Sequence, residues 1–122
     1  MRIGDIKKFE DMVPLYLVRI ATNMSVKDFA DVFMVTRAYI DDIENGNKKM
    51  NKRTIRIGMH DLGSSYEEYQ ELEEVCKLVA KSKLSEDKKY ALGLMKALAV
   101  LDAEIKDEVD ETLEKHLGYK SR

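Results

Sequence analysis

The stretch "SVKDFADVFMVTRAYIDDIENGN", Ser25 to Asn47, carries two helix-start signals only eleven residues apart. Ser25 with Asp28 forms an S-x-x-D capping pattern. Thr36 is a second candidate cap through its side-chain oxygen. The helix opened at Ser25 must therefore stop near Phe33. Val26, Phe29, Ala30 and Phe33 recur on one face of it, and Tyr39, Ile40 and Ile43 on one face of the next. Gly46 stands where the second helix needs a left-handed exit. Two short helices joined by a turn of about four residues make a helix-turn-helix unit.

The rest of the chain extends this all-helical pattern. A first helix is expected from about Asp11 to Thr22, with Pro14 in its first turn and an apolar face of Leu15, Val18 and Ile20. A fourth starts near Asn51, turns Ile55, Met59 and Leu62 inward, and ends at Gly63. Ser65 and Glu68 open a fifth, with Tyr69, Leu72, Val75, Cys76 and Val79 at helical spacing. After "KSKLSEDKK", with Ser85 as cap, a last helix or helix pair runs to about Leu117 and ends at Gly118. This places a domain over residues 11–80 and a C-terminal helical segment over 84–118. Met24, Met34, Met50, Met59 and Met95 read as core filler.

The charge pattern limits the function classes. The net charge of −2 in 122 residues gives no general attraction to nucleic acid. It is unevenly spread, with 11 Lys/Arg against 9 Asp/Glu through Gly63 and 10 against 14 beyond it. Attraction to a polyanion must come from a local patch in the first half. The single cysteine, Cys76, allows no intrachain disulfide and fits a cytoplasmic protein. Asp5, Glu10 and Asp11 argue against a signal peptide. "YALGLMKALAVL" is too short to span a bilayer. His60 and His116 lack metal-ligand spacing. No nucleophile motif, phosphate-cradling Gly loop or cofactor signature occurs, so an enzyme is not expected.

From about Pro14 to Tyr69 the chain resembles the DNA-binding domain of Xre/Cro-type phage repressors. The residues that carry the resemblance are Ser25, Asp28, Phe29, Ala30, Val35, Thr36, Ile40, Glu44 and Gly46, with "IGMHDLGSSYEEY" resembling the family's fourth helix and its exit. The resemblance implies a five-helix lambda-repressor-like domain with a C-terminal helical extension. It also implies a transcriptional regulator, expected to be a repressor, that inserts residues 36–45 into the major groove of double-stranded operator DNA. The family's turn glycine is Met34 here, and its frequent Gln at the head of the second helix is Val26.

The resemblance sets the candidate site. Arg37 is placed to bind guanine, and Ala38 to touch a thymine methyl. Thr36 belongs to the same DNA-facing end, and Tyr39 is placed to reach sugar or phosphate. Asp42 falls at a base-contacting position, where it could accept from cytosine or hold Arg37 or Arg56. Glu44 matches a family acid expected to bond within the domain. Asn47, Lys48, Lys49, Lys52 and Arg53 form a loop and helix start suited to phosphate. Leu94, Leu98, Leu101, Ile105, Val109 and Leu113 recur at three- and four-residue steps, and a homodimer through this C-terminal segment is expected. The alternative is an interaction module or antitoxin-like regulator with a protein partner, suggested by the acids of the third helix.

Overall fold

The computed structural model describes residues 8–120, and among them the chain is all-helical. The order is α1 (Pro14–Thr22), α2 (Val26–Val32), α3 (Arg37–Glu44), α4 (Lys52–Asp61), α5 (Tyr66–Lys81), α6 (Glu86–Leu101) and α7 (Lys106–Leu117). Single 3-10 turns occupy Phe9–Asp11 and Ala103–Ile105. Residues 9–11 are thus not part of α1. Pro14 takes the first helical position, where its missing N–H costs nothing, and the chain before it is extended.

Five helices start on a side-chain cap. Ser25, Thr36, Asn51, Ser65 and Ser85 accept from the backbone N–H groups of Asp28, Tyr39, Thr54, Glu68 and Lys88. Each such bond satisfies an orphan donor and contributes about 1 kcal/mol. Three of the tight exits share one geometry. After α2, α3 and α4 the residues Met34, Gly46 and Gly63 adopt φ of +57°, +78° and +83°. The next N–H in each case reaches back to a carbonyl five residues earlier: Val35 to Ala30, Asn47 to Asp42, and Ser64 to Met59. Met34 does with a side chain what glycine does at the other two. It is 79% exposed, so it is not the core filler its residue type suggests. Of the five methionines expected as core filler, Met59 alone is fully buried.

One core runs through all seven helices. The Phe29 and Phe33 rings pack at a tilt of 46°, with centroids 4.7 Å apart. Gly58 lets α4 close on them, because a Cβ there would lie 2.1 Å from the Phe33 ring. Gly93 does the same for α6, where a Cβ would meet the Phe9 ring at 2.6 Å and Leu17 at 3.1 Å. The expected boundary at residues 81–83 coincides with the break between α5 and α6, yet the core crosses it: α6 packs on both α1 and α5. Ile20, expected on the inner face of α1, is 41% exposed, and Leu17 is buried instead.

Asp102 ends α6, and its carboxylate accepts from Glu104 N–H at 3.0 Å. The C-terminal apolar stripe is therefore split. Val109 and Leu113 turn into the core, while Leu98 stays 38% exposed. Between α5, α6 and α7 lies an ionic cluster that the sequence reading missed. Lys96, fully buried, donates to Asp110 at 2.8 Å and lies 3.9 Å from Glu71. Lys106 donates to the other oxygen of Asp110 at 3.0 Å. The Tyr119 hydroxyl donates to Glu71 at 3.2 Å, and its ring lies 5.1 Å from the Lys96 ammonium.

Candidate nucleic-acid interface

The connection from Phe33 to Thr36 turns the chain so that the head of α3 faces solvent. Thr36, Arg37 and Ala38 are all exposed. The Thr36 hydroxyl is occupied as a cap, accepting from Tyr39 N–H at 3.1 Å. Ile40 and Ile43 anchor the other side of α3 in the core, at 0% and 4% exposure. Arg37 makes no ion pair among the described residues. Its side chain is left pointing away from a rigidly seated helix.

The acids of α3 separate into three environments. Glu44 is clamped by Arg19, with Nε and Nη2 donating to its two oxygens at 2.7 and 3.0 Å. This two-pronged bond joins α1 to α3 and raises the Arg19 pKa, chiefly through the hydrogen bond itself. Glu44 therefore bonds within the domain, the role the resemblance implies for its acid. Asp42 pairs with Lys48 at 3.4 Å. It holds neither Arg37 nor Arg56, because the left-handed turn at Gly46 brings the loop lysine back over α3. Asp41 is the one acid of α3 classed as exposed.

The loop cations have different neighbours. Lys48 lies 5.8 Å from the Tyr39 ring centroid as well as beside Asp42. Tyr39 is half-buried and packs against the core. Lys49 lines a cleft of about 230 Å³ with Val13, Pro14, Met50 and Glu73. Burial raises the Glu73 pKa, with Lys77 and Lys49 opposing. Lys52 lies 5.0 Å from the Tyr66 ring centroid. Asn47 and Arg53 are exposed. The expected site residues thus lie on three consecutive pieces of chain: the head of α3, the α3–α4 loop and the head of α4.

The first turns of the helices show how unusual this region is. Those of α2, α5, α6 and α7 each carry one or two acids, as the positive end of a helix dipole favours. That of α1 carries neither acid nor cation, and the first turns of α3 and α4 carry no acid. They begin instead with Arg37, and with Lys52 and Arg53. A cation at a helix N-terminus is unfavourable by a few tenths of a kcal/mol to about 1 kcal/mol. An anion at the same place reverses that sign, because it meets both the cations and the unpaired backbone N–H groups. The comparisons with protein-family models, curated proteins and solved structures give no match to this chain.

Proposed function

We propose that this chain is a sequence-specific DNA-binding transcriptional regulator of the Xre/Cro type. In this reading the core over α1 to α5 is a lambda-repressor-like frame, α3 is the recognition helix, and repression follows from occupying an operator. The observation that carries the reading is the pair of acid-free, cationic first turns on α3 and α4, on either side of a lysine-bearing loop. Arg37 and Ala38 read base edges from the exposed end of α3. Asn47, Lys49, Lys52 and Arg53 hold phosphate, and Lys48 positions the loop against Asp42 and Tyr39. One helix-turn-helix covers few base pairs, so the regulator acts as a homodimer on half-sites about 34–36 Å apart.

The test is selection of bound duplexes from a random pool, followed by Arg37→Ala on the selected site. Enrichment of one sequence is expected. Arg37→Ala should weaken that site by about 1–3 kcal/mol and relax preference at one base position. A pool that yields no enriched duplex would reject this reading and favour the protein-interaction alternative, for which exposed Asp41 is the structural support.

A further inference from the structure

Glu73 stands where two clefts meet. With Pro14 it lines both the cleft of about 230 Å³ beside the α3–α4 loop and a second, of about 180 Å³, bounded by Phe9, Met12, Cys76 and Ala80. Glu73 is half-buried, and among the described residues it accepts no hydrogen bond and forms no ion pair. Lys77, one turn further along α5, and Lys49 both attract it, yet burial outweighs them and its pKa is raised. The carboxylate lacks a donor. On the loop side of the first cleft the available cation is Lys49. Lys48 also borders the cleft, but its ammonium is engaged by Asp42 and the Tyr39 ring. Lys49 is exposed and has no such partner. The remaining walls are apolar: Val13 and Met50 are half-buried, and Ile43 and Ile55 are buried. The cleft thus presents one negative group, one positive group not paired with it, and an apolar lining.

We infer that this cleft binds a free α-amino acid with an apolar side chain, in its zwitterionic form. The ligand's ammonium donates to Glu73 and its carboxylate accepts from Lys49. Its side chain lies against Val13, Met50 and Ile55, and the second cleft past Pro14 gives room for a longer one. Both hydrogen bonds are charge-assisted, the strong kind. The two charges also select the ligand. A simple amine satisfies Glu73 and brings nothing to Lys49. A simple acid satisfies Lys49 and sets a second carboxylate near Glu73, where like charges repel. A ligand carrying both charges on one carbon answers both groups. The consequence for regulation rests on the DNA-binding reading, in which Lys49 holds phosphate. A bound amino acid occupies the same ammonium and adds a carboxylate beside the loop. Ligand and DNA then oppose one another, and by linkage each weakens the other by the same factor.

The test is isothermal titration calorimetry of the full chain with L-leucine and L-phenylalanine. At least one should saturate with a Kd of roughly 0.1–1 mM, ordinary for so small a ligand. Isoamylamine and isocaproate keep the leucine side chain with one charge each. They should bind about tenfold more weakly or worse, the loss of one hydrogen bond to a charged group. Glu73→Gln and Lys49→Ala should each cause a loss of the same size, with unchanged helical circular dichroism. In nitrogen–proton correlation spectra the shifted amides should centre on Val13, Lys49, Met50 and Glu73. Failure of both amino acids to saturate up to about 10 mM overturns the inference. So does equal binding of isoamylamine or isocaproate, binding that survives both substitutions, or shifts centred away from the cleft. A selected duplex should lose affinity when the bound amino acid is added, and the loss should vanish in Glu73→Gln. Unchanged affinity would overturn the opposition at Lys49. A pool with no enriched duplex rejects the DNA reading and the regulation with it, while saturable, Glu73-dependent calorimetry still upholds the amino-acid site.

Discussion

Replacing Lys96 by Met tests what the buried ionic cluster contributes. The substitution keeps most of the side-chain volume and removes one ammonium from a site with no solvent exposure. Asp110, 8% exposed, loses its 2.8 Å bond, and Glu71 loses a cation at 3.9 Å. Removing one partner of a buried pair typically costs about 3–5 kcal/mol, mostly because the other charge is left without compensation. Here Lys106 remains 3.0 Å from Asp110, and its side chain is 30% exposed, so part of the charge stays balanced. The expected loss is therefore below that range, about 2–3 kcal/mol. For a domain of this size it corresponds to a fall in Tm of roughly 10 °C. Urea denaturation at neutral pH gives the free energy directly. Adding Asp110→Leu to Lys96→Met should recover more than 1 kcal/mol, about the coupling expected between neighbours in one network. A single variant that loses less than about 0.5 kcal/mol, within ordinary surface effects, would show that the cluster contributes nothing net to holding α7 on α6.

Three further outcomes follow from local geometry. Gly58→Ala should destabilise by about 2–3 kcal/mol in the same assay, because the new Cβ overlaps the buried Phe33 ring; unchanged stability would mean that α4 can withdraw freely from α2. Met34→Gly should stabilise by about 0.5–1 kcal/mol by relieving a left-handed residue that has little packing to lose; a loss of stability would assign the exposed Met side chain a packing role. Burial pushes the Cys76 thiol up from 9.0 to about 12, with Glu73 adding to the effect. At pH 8 the native protein should react with iodoacetamide on the order of 10³-fold more slowly than an ordinary thiol. Addition of urea should abolish the difference, and rapid labelling of the native protein would contradict the raised pKa.

The helix starts were legible because capping is local: Ser25, Thr36, Asn51, Ser65 and Ser85 each announce a start within four residues of sequence. The inner faces of α2 to α5 were legible through their periodicity. What escaped depended on partners distant in sequence. Lys96 looked like an interruption in an apolar run, since its counter-charges come from Glu71 on α5 and Asp110 beyond a helix break. Gly58 and Gly93 gave no signal, because the rings that replace their side chains belong to Phe33 and Phe9. The break after Leu101 did leave a trace. Asp102 followed by Ala-Glu is a cap signal, and it gives the position of the break that a helix pair requires. In the candidate site, the roles of Glu44 and Lys48 differ for the same reason. The Glu44 bond was implied by the resemblance, whereas Lys48 reaches Asp42 only through the fold-back at Gly46.

A net charge of −2 supplies no long-range pull on DNA, so the binding proposed above would rest on short-range phosphate contacts. Glu44 is neutralised inside the protein by Arg19, and Asp42 is offset by Lys48. Lys48 is therefore already engaged before DNA arrives, and should count for less than its neighbours. In the proposed function, Lys49, Lys52 and Arg53 are then the principal phosphate partners. Each phosphate neutralised contributes about −0.9 to the slope of log affinity against log salt. Three such contacts give a slope of roughly −2.7 per protomer, and about twice that for a bound dimer. Binding titrations from about 50 to 200 mM salt, the interval over which such contacts are usually resolved, should show it. Lys52→Ala with Arg53→Ala should flatten the slope by close to two units per protomer, whereas Lys48→Ala should change it by well under one. An equal effect of Lys48→Ala would mean that the pair with Asp42 opens on binding. The cost would then be visible as a gain in affinity on Asp42→Asn, at unchanged sequence preference.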